Sequence, residues 1–462
     1  MDSLPVEVTG RILSCVASAR HVVMASAISQ KWQEAAKHHL RRLTFNGSDF
    51  STQEDDDFSP SMCITNTVMR TSSLHELSIS VEAYILSESE DESDEDDCEG
   101  EFMVELQAAS VDVWIQHTKG TLRSLTIMNP ITPPMNILEK LGNGESNLKQ
   151  LEWGSAHIPV VNPAIHVFQS LSSLTLFGMQ DWLAVSNLEA LLLACPKLVS
   201  LSLVDVKLWE YLGRYNPPPM AVTLKSSSLK AVHIDQGFEL IDDLILHIDC
   251  LESLSLEHVS FELVKLVQNS RHGGLQHLSI IEAHIWEMEL GDLASGLYEL
   301  RLHGRETLEA DWKKLYPMFS RAINLRKLYL PSNTPNIDEF DVGFDKIAKS
   351  FPNLYLLGLN YRPGLRAFKA GGSAEALTFG SVTILELTSW KPNKEFAAWI
   401  AGFLEHCPNL KQLTTACKVS DLKPGDSGPQ SAEFNKLMSQ ILQPYPHVAT
   451  KYVLSLRSKV SR

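Results

Sequence analysis

The phrase LxxLxL recurs along almost the whole chain, and it constrains the fold more than any single residue. It reads LRRLTF at Leu40, LHELSI at Leu74, LRSLTI at Leu122, LKQLEW at Leu148 and LSSLTL at Leu171, and runs on to LKQLTT at Leu410, fourteen frames in all. From Leu122 to Leu410 the eleven intervals average about 26 residues, within the period of roughly 20–29 residues of leucine-rich repeats. The three apolar positions of each frame point inward, and the residues between them point outward from a short parallel strand. One such unit cannot bury its apolar face alone, so neighbours stack into a continuous core. The predicted fold is α/β, a leucine-rich-repeat solenoid over about residues 40–430. Parallel strands line its concave face, and helices and loops its convex face.

Several return segments carry apolar residues at helical spacing, notably Asn187–Ala194, Phe344–Phe351 and Glu395–His406. They end in a shared phrase, ACPKL at Ala194, SFPNL at Ser350 and HCPNL at His406. Its proline stops a helix and its leucine opens the next strand. Cys195 and Cys407 are therefore read as small buried helix-end residues and not as reactive thiols.

Two segments break the repeat. Residues 87–101, SESEDESDEDDCEGE, hold ten carboxylates and no basic residue. Such a block repels itself and cannot bury apolar area, so it is expected to be a disordered insertion within one repeat. It carries most of the net charge of −16, leaving about −6 elsewhere. Ser87, Ser89 and Ser93 each have an acid three residues on, a context acidophilic kinases prefer. The block reads either as a solvated insertion without a required role, or as a regulatory loop or a lure for basic partners. The second break is residues 1–43, which read as two or three short helices. Asp2 and Ser3 can cap the first, with Pro5 in its opening turn. The others are expected from about His21 to Ile28 and from about Lys31. At the other end, residues 431–462 are expected to close the solenoid as a cap, which such arrays need.

Composition narrows the function classes. The negative net charge disfavours nucleic-acid or anionic-membrane binding. Seven cysteines without a CxxC pair resemble neither a disulfide framework nor a zinc site. No apolar run approaches the roughly 18–20 residues needed to span a bilayer. A cytoplasmic or nuclear location is the expectation. No nucleophile elbow, P-loop, GxGxxG or HExxH is present, so no enzyme activity, cofactor or metal is expected. The histidines of the middle repeats occupy different frame positions and do not converge as tetrahedral ligands should.

The N-terminal phrases LPVEVTGRILSCV and VVMASAISQKWQEAA resemble the F-box. Set ahead of the repeats, they make the chain similar to plant F-box/LRR-repeat proteins, and more distantly to the strigolactone-signalling F-box protein. The resemblance implies a substrate-recognition subunit of an SCF-type cullin–RING ubiquitin ligase, docked on a Skp-type adaptor and through it on cullin and RING subunits. The matching adaptor-binding positions are Leu4, Pro5, Val8, Ile12, Leu13, Val22, Val23, Ile28 and Trp32. Ala25 and Ala27 depart from the bulkier residues often found there. The residues alone also allow these helices to act only as a cap on the first repeats, and the chain to serve as an interaction scaffold or signal-perception protein without ligase recruitment.

The outward columns locate a substrate surface. The fifth frame position is mostly small and polar, so large or charged residues within it are informative. They gather between about 229 and 331. His233 and Asp235 share one strand, His277 lies on a later one, Arg301 and His303 follow, and then Lys327 and Tyr329. Parallel strands lie roughly 4.8 Å apart, so these residues are expected to form one patch, against the alternative of ordinary polar strand surface.

Overall fold

Each LxxLxL frame closes its inward positions completely. Its first residue is at most 3% exposed from Leu40 to Leu410, with Leu74, Leu229, Leu275 and Leu325 at 0%. A buried leucine contributes about 1.5–3 kcal/mol relative to an exposed one, so the repeated phrase supplies the core. The computed structural model describes residues 4–50, 59–80, 106–128, 141, 146–154, 161–165, 167–178, 183–209, 220–238, 240–268, 274–304, 315–330, 344–361, 378–389, 393–419 and 427–456. The acidic block at 87–101, with Ser87, Ser89 and Ser93, lies outside them, as do Asp2 and Ser3.

The chain divides into two compact units, Met1–Ile241 with His247–Asp249, and Asp242–Leu246 with Cys250–Arg462. The first opens with three helices, α1 (Val6–Val16), α2 (Ala19–Ser26) and α3 (Gln30–His39). Pro5 stands just before α1 as its cap residue, where its missing N–H costs nothing. Ser29 caps α3 by accepting the Trp32 N–H at 3.4 Å. α1 and α3 cross at Gly10, where a Cβ would collide with His39. The helices also cover a sheet edge. Thr44 N donates to Ala17 O at 2.8 Å and Arg41 N to Ser14 Oγ at 2.9 Å, pinning the first strand, Arg42–Asn46, beneath them. Helices α4 (Pro60–Val68) and α5 (Ala108–Thr118) follow on return segments. The Trp114 Nε1–H donates to Thr65 Oγ1 at 2.8 Å and joins them.

Parallel pairing in this unit aligns Thr44, Ser78, Thr126, Glu152, Thr175, Ser202 and His233 across successive strands. In the second unit Ser255, Ser279, Arg301, Tyr329, Gly358, Glu386 and Thr414 align in the same way, ending on Lys451 of the last strand, Ala449–Leu456. The fifth-position column read from the frame is thus the column the backbone builds. Just past the strands, the eighth position takes a left-handed turn at Gly178, Asp205, Gln236, His258 and Glu282, with φ of 48–62°. The turn aims its N–H at the next strand: Gly178 N donates to Val204 O at 2.8 Å and His258 N to Ile281 O at 2.9 Å. Non-glycine residues there cost about 1–3 kcal/mol each, offset by that bond.

The return helices fall where the spacing predicts them, at Val185–Ala194, Phe344–Ser350 and Lys394–His406. Cys195 and Cys407 end two of these with the same backbone, φ −116° and ψ 70–72°. Both are 1–2% exposed, and burial pushes their thiols up to about 12. The asparagine of the PNL phrase adds a rung. Asn353 Nδ2 donates to Ile323 O at 3.1 Å and Asn409 Nδ2 to Gly380 O at 2.6 Å. Two return segments of the second unit are strands instead, Ser260–Val267 and His284–Glu289, paired in parallel. After them comes the helix Ser427–Leu442, whose Phe434 stacks on Phe396 at 5.7 Å.

Candidate functional site

Two surfaces stand out. On the first, the amphipathic spacing of α1 and α2 sorts the predicted adaptor positions into two sets. Leu13 and Val22 are 0% and 3% exposed and pack inside the helical module. They cannot offer docking area; their side chains fix how the helices pack. Leu4 and Trp32 are half-buried and Pro5 is exposed. Val8, Ile12, Val23 and Ile28 remain 38–73% exposed. Val16 and Met24, outside the adaptor positions that the resemblance implies, join them at 47% and 61%. For Val16 the sequence carries the signal, because Val8, Ile12 and Val16 continue one helical row at four-residue steps. The opening helices thus leave several large apolar side chains exposed.

The second surface lies on the outward face of the second unit, and its centre is a residue the sequence reading passed over. Glu299, at the third position of LYELRL, is 8% exposed. Its Oε1 accepts from Arg301 Nε and its Oε2 from Lys327 Nζ at 3.3 Å, while His277 Nδ1 lies 3.6 Å from Oε2. Burial works to raise the Glu299 carboxyl, but the bonds and charges of Arg301 and Lys327 outweigh it and hold the group below the usual carboxylate range. The same carboxylate lifts Arg301 and Lys327 against the opposing effect of their own burial. Arg301 Cζ sits 4.5 Å above the Tyr329 ring. That ring fills the space over Gly358, where a Cβ would overlap it. Burial, then the charge of Glu386, raises the Tyr329 phenol. His303 completes the group, with Nδ1 3.0 Å from Asn360 Nδ2 and Nε2 3.8 Å from Glu282.

His277, Arg301 and Lys327 meet at Glu299 and Arg301 stacks on Tyr329, whereas His303 contacts Asn360 and Glu282. His233 and Asp235 sit half-buried on the strand Ala231–Asp235 of the first unit. Among the described residues no helix is long and apolar enough to cross a membrane.

Helices with an exposed apolar face thus stand ahead of parallel repeat strands with polar outward columns. No family model matches the chain. It is 31% identical over 455 residues to the F-box/LRR-repeat protein At1g67190 of Arabidopsis thaliana, an alignment covering 98% of this chain and 99% of that protein. The similarity thus includes the opening helices and the repeats alike. The chain belongs to the F-box/LRR-repeat proteins.

Proposed function

We propose that the chain is the substrate-recognition subunit of an SCF-type cullin–RING ubiquitin ligase. The observation that carries this reading is the exposed apolar set of Val8, Ile12 and Val16 on α1, Val23 and Met24 on α2, and Ile28 in the turn after it, in a chain of this family. These side chains, with Leu4, Pro5 and Trp32, dock on a Skp-type adaptor, and Leu13 and Val22 hold the helices in position from within. The cluster around Glu299 is the contact for the protein to be ubiquitinated, because arginine and tyrosine dominate interface energetics. Transfer chemistry belongs to the other subunits, and this chain supplies proximity.

Co-purification with a Skp-type adaptor tests the docking face. Ile12→Glu with Val23→Glu is expected to abolish the association while leaving the melting temperature unchanged, since both residues are exposed. Leu13→Ala is expected to destabilise the module by about 2–5 kcal/mol. Undiminished association of the double variant would refute the docking role.

A further inference from the structure

The second frame position of the first repeats carries basic side chains that the docking reading does not use. Arg41, His75, Arg123 and Lys149 occupy it in consecutive frames. The backbone sets them in line: His75 N donates to Arg41 O at 2.8 Å, Arg123 N to His75 O at 2.7 Å and Lys149 N to Arg123 O at 2.7 Å. Arg41, Arg123 and Lys149 are exposed, and Arg41 Nη1 lies 3.4 Å from His75 Nδ1. The carboxylate beside them, Glu76, is engaged by Arg42 at 2.5 Å. Burial, then the charges of Arg41 and Arg123, lowers His75 despite Glu76. On a chain of net charge −16 this column is out of sign with the rest.

We propose that this column is the docking surface for residues 87–101 of the same chain, the block of ten carboxylates. The charges are complementary, and the connection is short enough. The strand Glu76–Ser80 ends six residues before the block begins. Six residues reach about 20 Å, and a five-residue strand is about 17 Å long. The chain leaving Ser80 can thus return along the outward face to the level of His75. A tether of that length gives an effective concentration on the order of millimolar, which an acidic partner in trans has to overcome. Phosphorylation at Ser87, Ser89 or Ser93 adds roughly −1.5 to −2 of charge each and strengthens the contact.

The test uses a fluorescein-labelled peptide of residues 87–101 and two proteins, the full chain and a chain in which 87–101 is replaced by a Gly/Ser segment of equal length. At low ionic strength the peptide is expected to bind the replaced chain and to bind the full chain about tenfold more weakly. Arg41→Gln, Arg123→Gln and Lys149→Gln together, in the replaced chain, are expected to weaken it about tenfold, and salt to weaken it further. In the full chain, zero-length carbodiimide crosslinks are expected between Lys149 and carboxylates of the block. Lys149→Gln alone, with an unchanged melting temperature, serves if the triple variant misfolds. Absence of binding to the replaced chain, or equal binding by the triple variant, overturns the surface. Equal binding to the full and the replaced chain overturns occupancy in cis and assigns the column to an acidic partner in trans.

Discussion

Arg301 and Lys327 in the second unit close on the carboxylate of Glu299, whereas Arg41, Arg123 and Lys149 in the first stand in line beside a glutamate already taken by Arg42. Both groups sit on outward positions of one repeating frame, and both are rich in cations. Charge count alone separates them only as three cations against two. What separates them is whether the sheet supplies the counter-charge. In the second unit an almost buried glutamate orders two cations and stacks one of them on Tyr329, giving a preorganised surface whose charges are spent internally. In the first the field is left open to something outside the strands.

The comparison is broken most severely by Glu299→Gln. That change keeps the shape of the side chain and removes the charge that both Arg301 and Lys327 use. Charge-assisted hydrogen bonds contribute about 1.5–3 kcal/mol, so a loss of that order is expected in the second unit, read as faster amide exchange over the strands Glu299–His303 and Lys327–Leu330. The pH dependence has a definite sign. The folded carboxyl lies below its ordinary value, so its contribution is complete above about 4.3, the usual glutamate value, and is lost as pH falls through the lower folded value. Unchanged stability in Glu299→Gln would show that the cations are equally well served by water.

The frame made the columns readable because a strand has period two and parallel pairing fixes which residues stand side by side. It also placed Cys195 and Cys407 correctly, since a small apolar residue before proline at a helix end has few other uses. Glu299 escaped the reading because a glutamate at the third position looks like any outward polar residue. Only the approach of Arg301 from two residues on and Lys327 from the next strand makes it a hub. Leu13 and Val22 stand among the positions implied by the F-box resemblance, and a motif match does not say which of them the helices themselves bury. The strand Ser260–Val267 buries Phe261, Val264 and Leu266, but Leu263 breaks the period-two alternation that marks a strand in sequence. Positive φ at the eighth position had no sequence signal, since the residues there share neither size nor charge.

A milder intervention, Tyr329→Leu, keeps the Glu299 bonds and removes only the ring beneath Arg301. A cation over a ring at an exposed site contributes about 0.5–1 kcal/mol, so the expected loss is smaller than for Glu299→Gln and additive with a distant change. If the cluster is the substrate contact, this variant is expected to weaken substrate capture more than it lowers stability, because the guanidinium then loses its fixed orientation. Equal effects on both would place Tyr329 among ordinary packing residues.

The smallest expected effect lies in the first unit and separates the two regions most directly. Arg42 and Glu76 are about half exposed, and exposed pairs contribute only about 0.2–1 kcal/mol, so Glu76→Gln should scarcely move the melting temperature. It should nevertheless move His75, because Glu76 is the group that raises its ionisation against burial, Arg41 and Arg123. Removing it is expected to lower the His75 titration further, observable by proton NMR, whereas Arg123→Gln is expected to raise it. The linkage is small but signed: a histidine held below its unfolded value contributes stability above that value, near 6.5, and loses it as pH falls. Replacing residues 87–101 by Gly/Ser provides the decisive third measurement. If the acidic block lies along the column, its carboxylates support the histidine's charge in the native chain, and their removal lowers the titration. If His75 titrates identically in both chains, the open field of the first repeats is not filled from within.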